Sequence, residues 1–158
     1  DTQSPGSLNQ FGYAEGGPVT MVDPFGTTAV RCSEWQGESA SHSKVRVCIQ
    51  GTDKRNGGDT IHGNVYGFHI GSEANVDRFW LHVRAEFWDG QYWTRATNSS
   101  DSGDWGDGAD QSNPRHLHHD FDDDQAGDIL YHVQGNACVE IDGQVECGPW
   151  RNSPSVKI

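Results

Sequence analysis

The chain has 158 residues, with 11 Lys and Arg against 23 Asp and Glu for a net charge of −12; this is the length of one domain, with a charge that repels nucleic acid and anionic lipid. Only 33% of the residues are hydrophobic, yet six Trp, six Phe and four Tyr remain, which argues against disorder and for a thin-cored, foldable domain. No apolar run approaches the roughly 18 residues of a membrane span, so no membrane insertion is expected.

The chain opens on Asp1 with its only Met at Met21 and so reads as a processed, exported form. Residues 1–28 carry Pro5, Pro18 and Pro24 among several glycines; they form an N-terminal arm with one expected strand at residues 19–22. Residues 29–158 form a single β domain. Cys32 and Cys48 close around the polar residues 37–43 and are expected to staple a hairpin of residues 29–31 with 45–47. A Gly-rich polar loop follows at 51–63, then a half-buried strand at 64–70 with Tyr66, Phe68 and Ile70 on one face. The strongest alternation spans 79–88, whose odd positions are Phe79, Leu81, Val83, Ala85 and Phe87; these face the core. Asp89-Gly90 is expected to be a two-residue turn returning the chain through 91–96. Residues 98–128 form a long acidic connection, and 129–133 lead into a final hairpin.

That hairpin can be registered by counting. Asp142-Gly143 is a favoured type I′ turn, and stepping outward pairs Ile141 with Gln144, Glu140 with Val145, Val139 with Glu146, and Cys138 with Cys147. The two cysteines fall opposite each other in a non-hydrogen-bonded pair, close enough for a disulfide. Two such bridges, each worth about 2–4 kcal/mol, suit a thin core and imply an oxidising, extracellular compartment. Recurrent strands separated by turn chemistry, without sustained helical periodicity, predict an all-β fold: an antiparallel β-sandwich or small barrel with two disulfide-stapled hairpins. The segments Val45-Arg46-Val47-Cys48, Ala137-Cys138-Val139 and Glu146-Cys147-Gly148-Pro149-Trp150 resemble those of the small secreted two-disulfide proteins of filamentous soil bacteria of the actinomycete type. The resemblance implies an extracellular location.

Three features could carry chemistry. With the odd positions of 79–88 buried, Trp80, His82, Arg84, Glu86 and Trp88 share the opposite face. Pairing across Asp89-Gly90 sets Gln91 beside Trp88, Trp93 beside Glu86 and Arg95 beside Arg84. Flat indoles suit the apolar faces of sugar rings, and Arg, Glu and Gln can meet hydroxyls, so this face is a candidate carbohydrate platform; the alternative is a face covered by a second sheet or by the arm. Second, Asp101, Asp104, Asp107 and Asp110 recur every third residue, followed by further aspartates up to Asp128. Such carboxylates could bind Ca²⁺, though without EF-hand spacing; the alternative is a solvated acidic loop. Third, His116, His118 and Asp120 would share one face of a strand and could hold Zn²⁺ or Cu²⁺, with His69, His82 and His132 as further donors.

The chain contains no nucleophile elbow, zinc-protease pair or phosphate loop, and Asn98-Ser99-Ser100 is a glycosylation sequon. The first expectation is therefore a secreted, non-catalytic binding protein that recognises an extracellular glycan or another ligand through the Trp80, Trp88 and Trp93 face. A second is an adaptor or inhibitor that adds its N-terminal arm to a secreted partner's sheet edge. A third is a small metal-assisted or two-carboxylate hydrolase using His116, His118 and Asp120, or Glu86.

Overall fold

The computed structural model describes residues 27–38, 42–53, 58–70, 76–96, 100–104, 110–125 and 127–158. Among the described residues, twelve strands form two antiparallel sheets. The first contains β1 (Arg31–Cys32), β2 (Gln36–Glu38), β3 (Ser43–Asp53), β4 (Asp59–His69) and β8 (Arg115–Asp123). The second contains β5 (Val76–Trp88), β6 (Trp93–Arg95), β7 (Asp101–Asp104), β9 (Leu130–Ile141), β10 (Gln144–Cys147), β11 (Arg151–Asn152) and β12 (Val156–Lys157). The predicted strand at 19–22 and most of the N-terminal arm lie outside the described residues; Thr28 is buried, its N–H donating to Gly51 O of β3 and its hydroxyl accepting from Gly51 N–H.

Period-2 alternation decides what each sheet buries. Val45, Val47 and Ile49 of β3, Ile61 and Val65 of β4, and Leu117 and Phe121 of β8 line the inner face of the first sheet. Opposite them stand Phe79, Leu81, Val83 and Ala85 of β5 with Tyr131, Val133, Ala137 and Val139 of β9. Odd positions of 79–88 therefore face the core as the sequence predicts, although Phe87 at the strand end is only partly buried. Glycines on the inner faces let the sheets approach. A Cβ on Gly67 would come within 2.6 Å of Leu81 Cδ2, and one on Gly135 within 2.5 Å of Val65.

Both predicted disulfides form. The β9–β10 hairpin has the register reached by counting, from Gln144 opposite Ile141 to Cys147 opposite Cys138, and both turn residues adopt positive φ, Asp142 at 50° and Gly143 at 79°. Cys32 lies opposite Cys48, which moves the neighbouring pair to Arg31 and Ile49 in place of the expected pairing of 29–31 with 45–47.

Four expectations are corrected. Residues 51–53 and 59–63 of the expected loop are strand: β3 and β4 pair from Asp53 opposite Asp59 up to Ser43 opposite His69. The core face of β4 is the odd set containing Ile61 and Val65, while Tyr66 lies on the outer face and Phe68 is buried against Trp35. The glycines between its apolar residues concealed that face, because a Gly at a core position reads as polar punctuation. The 98–128 connection likewise contains two paired strands, β7 on β5 and β8 on β4, and so carries the chain from one sheet to the other. Finally, the Asp89-Gly90 hairpin has a longer connection. Trp88 pairs with Trp93, Phe87 with Thr94, and Glu86 with Arg95. The Asp89 carboxylate accepts from the N–H groups of Gln91 and Tyr92 and from the Thr94 hydroxyl, and these bonds hold it well below the usual carboxylate range. Side-chain capping by Asp has displaced the two-residue turn.

Candidate functional site

The outer face of the second sheet is built from the even positions of β5 and β9, which the register sets directly opposite: His82 with Asn136, Arg84 with Gln134, Glu86 with His132. Each row closes a hydrogen-bond chain. Asn136 Nδ2 donates to Gly148 O at 3.1 Å, which leaves its Oδ1 as acceptor for His82 Nδ1 at 2.9 Å. That bond places the proton of neutral His82 on Nδ1 and makes Nε2 the free acceptor. One row further, Arg84 Nε donates to Gln134 Oε1 at 2.6 Å, and Gln134 Nε2 donates to Asn152 Oδ1 at 2.8 Å. In the next row Glu86 Oε1 lies 2.8 Å from His132 Nε2, with both groups largely buried.

An open groove of about 460 Å³ crosses this face, lined by His82, Arg84, Arg95, Ser100, Asp101, Ser102 and Trp150. Trp150 receives the Arg84 guanidinium 3.9 Å above its ring. Burial lowers the Arg84 pKa, Arg95 lowers it further, and Glu86 acts in the opposite direction. Arg95 is exposed and its cross-strand neighbour Glu86 is engaged with His132. Asp101, at the groove wall, turns its carboxylate to His119 Nδ1 of the other sheet at 2.9 Å. Two guanidiniums and an indole thus converge in a protein whose net charge is −12.

The three predicted indoles are on this face but do not form one shelf. Arg78 sits 4.6 Å above the Trp80 ring, Trp93 stacks at 3.8 Å on His132, and Trp88 meets Trp93 edge-on. Gln91 lies in the hairpin connection and is not paired with Trp88, and Arg95 lies opposite Glu86 where Arg84 was expected. Sequence reasoning missed Trp150, which enters the groove because β11 pairs with β9 and the preceding residues follow that edge; the two-residue strand gives no periodic signal.

The acidic candidates separate. Asp101 turns to His119, whereas Asp104 pairs with Arg78 at 2.8 Å; they are three residues apart on a strand and so point to opposite faces. Asp107 lies outside the described residues. His116, His118 and Asp120 do share the outer face of β8, on the first sheet, away from the groove. Among the described residues, three metal-capable side chains converge at His62, His118 and Asp120, with donor atoms all within 4.8 Å of one another. His116 is instead stacked on Tyr66 with ring centroids 4.4 Å apart. Burial and then the neighbouring His118 lower its pKa. Of the other histidines proposed as donors, His82 and His132 belong to the second sheet and His69 is buried at the end of β4. Partial burial works against the charge of Asp120, but His62 and His118 hold its carboxyl below the ordinary range.

A further buried carboxylate lies at the sheet end. Tyr131 OH donates to Asp59 Oδ2 at 2.6 Å. Burial raises the Asp59 pKa to about 6, with Tyr131 lowering it and Asp53, Asp123 and Asp128 raising it. The same burial and the adjacent Asp59 raise that of the Tyr131 hydroxyl.

Compared with protein-family models, with curated proteins and with solved structures, the chain matches none. Among the described residues no helix is long and apolar enough to cross a membrane, and the two disulfides are compatible with an extracellular setting.

Proposed function

We propose that this is a secreted, non-catalytic binding protein whose ligand is an acidic saccharide, bearing a carboxylate or sulfate, held in the groove between Arg84, Arg95 and Trp150. The observation that carries the proposal is the convergence of Arg84 and Arg95 on one groove within a strongly acidic chain. Burying one guanidinium near another opposes folding and is offset when an anion meets both, since a guanidinium fork matches carboxylate and sulfate oxygens. Trp150 adds ring surface against which the apolar face of a sugar can lie. His82 Nε2 and the hydroxyls of Ser100 and Ser102 supply acceptors and donors for sugar hydroxyls. The volume falls in the range of small-ligand sites. Secretion is supported by the two disulfides. Glu86 is committed to His132 beneath Trp93, so the catalytic role considered for it gains no support.

A glycan array comparing neutral, uronate-bearing and sulfated oligosaccharides tests the proposal, followed by calorimetry on the best binder. Arg95→Ala should weaken binding by about 10-fold without lowering the melting temperature, because Arg95 is exposed, and affinity should fall with added salt. Retention only of neutral glycans, or an Arg95→Ala protein that binds as tightly as the parent, would refute it.

A further inference from the structure

On the opposite side of the sandwich, β4 and β8 place His62 directly across from Asp120, and Asn64 across from His118. His62 Nδ1 lies 2.6 Å and His118 Nε2 lies 2.9 Å from the same oxygen, Asp120 Oδ1. The remaining nitrogen of each ring is also engaged. His118 Nδ1 is 3.0 Å from Asn64 Oδ1, and His62 Nε2 is 3.0 Å from Thr52 Oγ1. An amide oxygen accepts, so His118 Nδ1 can donate there, the tautomer that would free the Nε2 lone pair for an ion standing between it and Asp120. Without an ion, His62 Nδ1–H donates to Asp120; with an ion in its place, the Thr52 hydroxyl can accept from Nε2–H and so free the Nδ1 lone pair. Metal-ligating histidines use the same layout: the nitrogen that faces Asp120 would take the ion, and the other would donate to an oxygen that fixes tautomer and ring orientation.

From this juxtaposition we infer that His62, His118 and Asp120 form a binding site for a divalent transition ion of the zinc and copper class. Four observations converge on it. The donor set of two imidazoles and one carboxylate suits Zn²⁺ and Cu²⁺ and not the all-oxygen preference of Ca²⁺. Ligands about 2.0–2.1 Å from a tetrahedral ion stand about 3.3 Å from one another; the separations of 2.6 and 2.9 Å would open by about 0.4–0.7 Å, and all three donors already lie within 4.8 Å of one another. The donors sit on paired strands within one sheet, which hold geometry better than loops. With side chains 26%, 46% and 52% exposed, the site is open to ions, and three protein donors leave one tetrahedral position to solvent. The sequence pointed to His116, His118 and Asp120. His62 replaces His116 because pairing across β4 and β8 brings it opposite Asp120, whereas the His116 ring is occupied by Tyr66 and its Nε2 by Asn64 Oδ1 at 2.6 Å.

The test is calorimetric titration of the metal-stripped, full-length protein with Zn²⁺, paired with the visible absorption of Co²⁺ as a probe of tetrahedral nitrogen and oxygen ligation. Binding of one ion per chain in the micromolar range is expected. His62→Ala, His118→Ala and Asp120→Asn should each weaken it at least about 10-fold, and Thr52→Val and Asn64→Leu should weaken it by about 10- to 100-fold through loss of ring orientation. His116→Ala should change affinity by less than about 2-fold. The variants lie on an outer face, and unchanged circular dichroism and melting without metal establish that each is folded. Failure to bind Zn²⁺ at one per chain, binding that survives His62→Ala, or equal losses for His116→Ala and His62→Ala would overturn the inference. The groove on the other sheet is unaffected by these variants, so saccharide binding and metal binding fail or succeed separately.

Discussion

Replacing Asp59 by Asn should stabilise the protein at neutral pH, because the folded structure holds this carboxylate at a cost. Asp59 is 2% exposed, and burial, opposed by the Tyr131 hydrogen bond and reinforced by Asp53, Asp123 and Asp128, raises its pKa from 3.8 to about 6. The folded state therefore binds the proton more tightly than the unfolded chain. The contribution of Asp59 to stability is most favourable below pH 4, falls as the pH rises from about 4 to 6, and carries the full cost above that window. A difference of that size corresponds to about 3 kcal/mol. An Asn amide oxygen can still accept from Tyr131 OH, forfeiting about 1 kcal/mol of charge assistance. Asp59→Asn should thus be more stable than the parent by about 2 kcal/mol at pH 8, equivalent to about 4–8 °C for a chain of this length, and should match it within about 1 kcal/mol at pH 4. Urea denaturation of both proteins from pH 4 to pH 8 in EDTA-containing buffer measures this. A difference between them that does not change with pH, or an Asn variant less stable at pH 8, would refute the reasoning.

Cutting the Cys138–Cys147 bridge by Cys138→Ala with Cys147→Ala frees a loop of 9 residues and should cost about 2.5 kcal/mol, against about 3 kcal/mol for Cys32–Cys48, both read as shifts in urea midpoint. Gly135→Ala should destabilise by about 1–3 kcal/mol, since its methyl group would press into Val65 and Val47; a melting temperature equal to the parent's would contradict the close approach of the sheets. His132→Ala removes one partner of a pair whose imidazole is only 6% exposed and leaves Glu86 without it, at a cost of about 3–5 kcal/mol; a loss below about 1 kcal/mol would show that the pair contributes little. Asp89→Ala removes three hydrogen bonds from the β5–β6 connection and should cost about 1 kcal/mol.

Local rules were sufficient where neighbours in sequence are also neighbours in space. The type I′ turn at Asp142-Gly143 sets the pairing of Cys138 with Cys147, and the alternation at 79–88 separates Phe79, Leu81, Val83 and Ala85 from the outer face, because turn type and a period of two act within a few residues. Those same rules made the fold class and both disulfides readable. They were insufficient wherever a residue's meaning depends on a distant strand. Gly63 reads as part of a loop, and Gly67 and Gly135 carry no core signal, yet at each the other sheet's side chains crowd the space a Cβ would take. Trp150 enters the groove only because β11 follows the edge of β9. His62 is 56 residues from His118 in the chain, and only the antiparallel register of β4 and β8 brings both to Asp120. Short-range stereochemistry is written residue by residue, whereas the convergence of donors from separate strands is a property of their pairing and exists only once the sheets have formed.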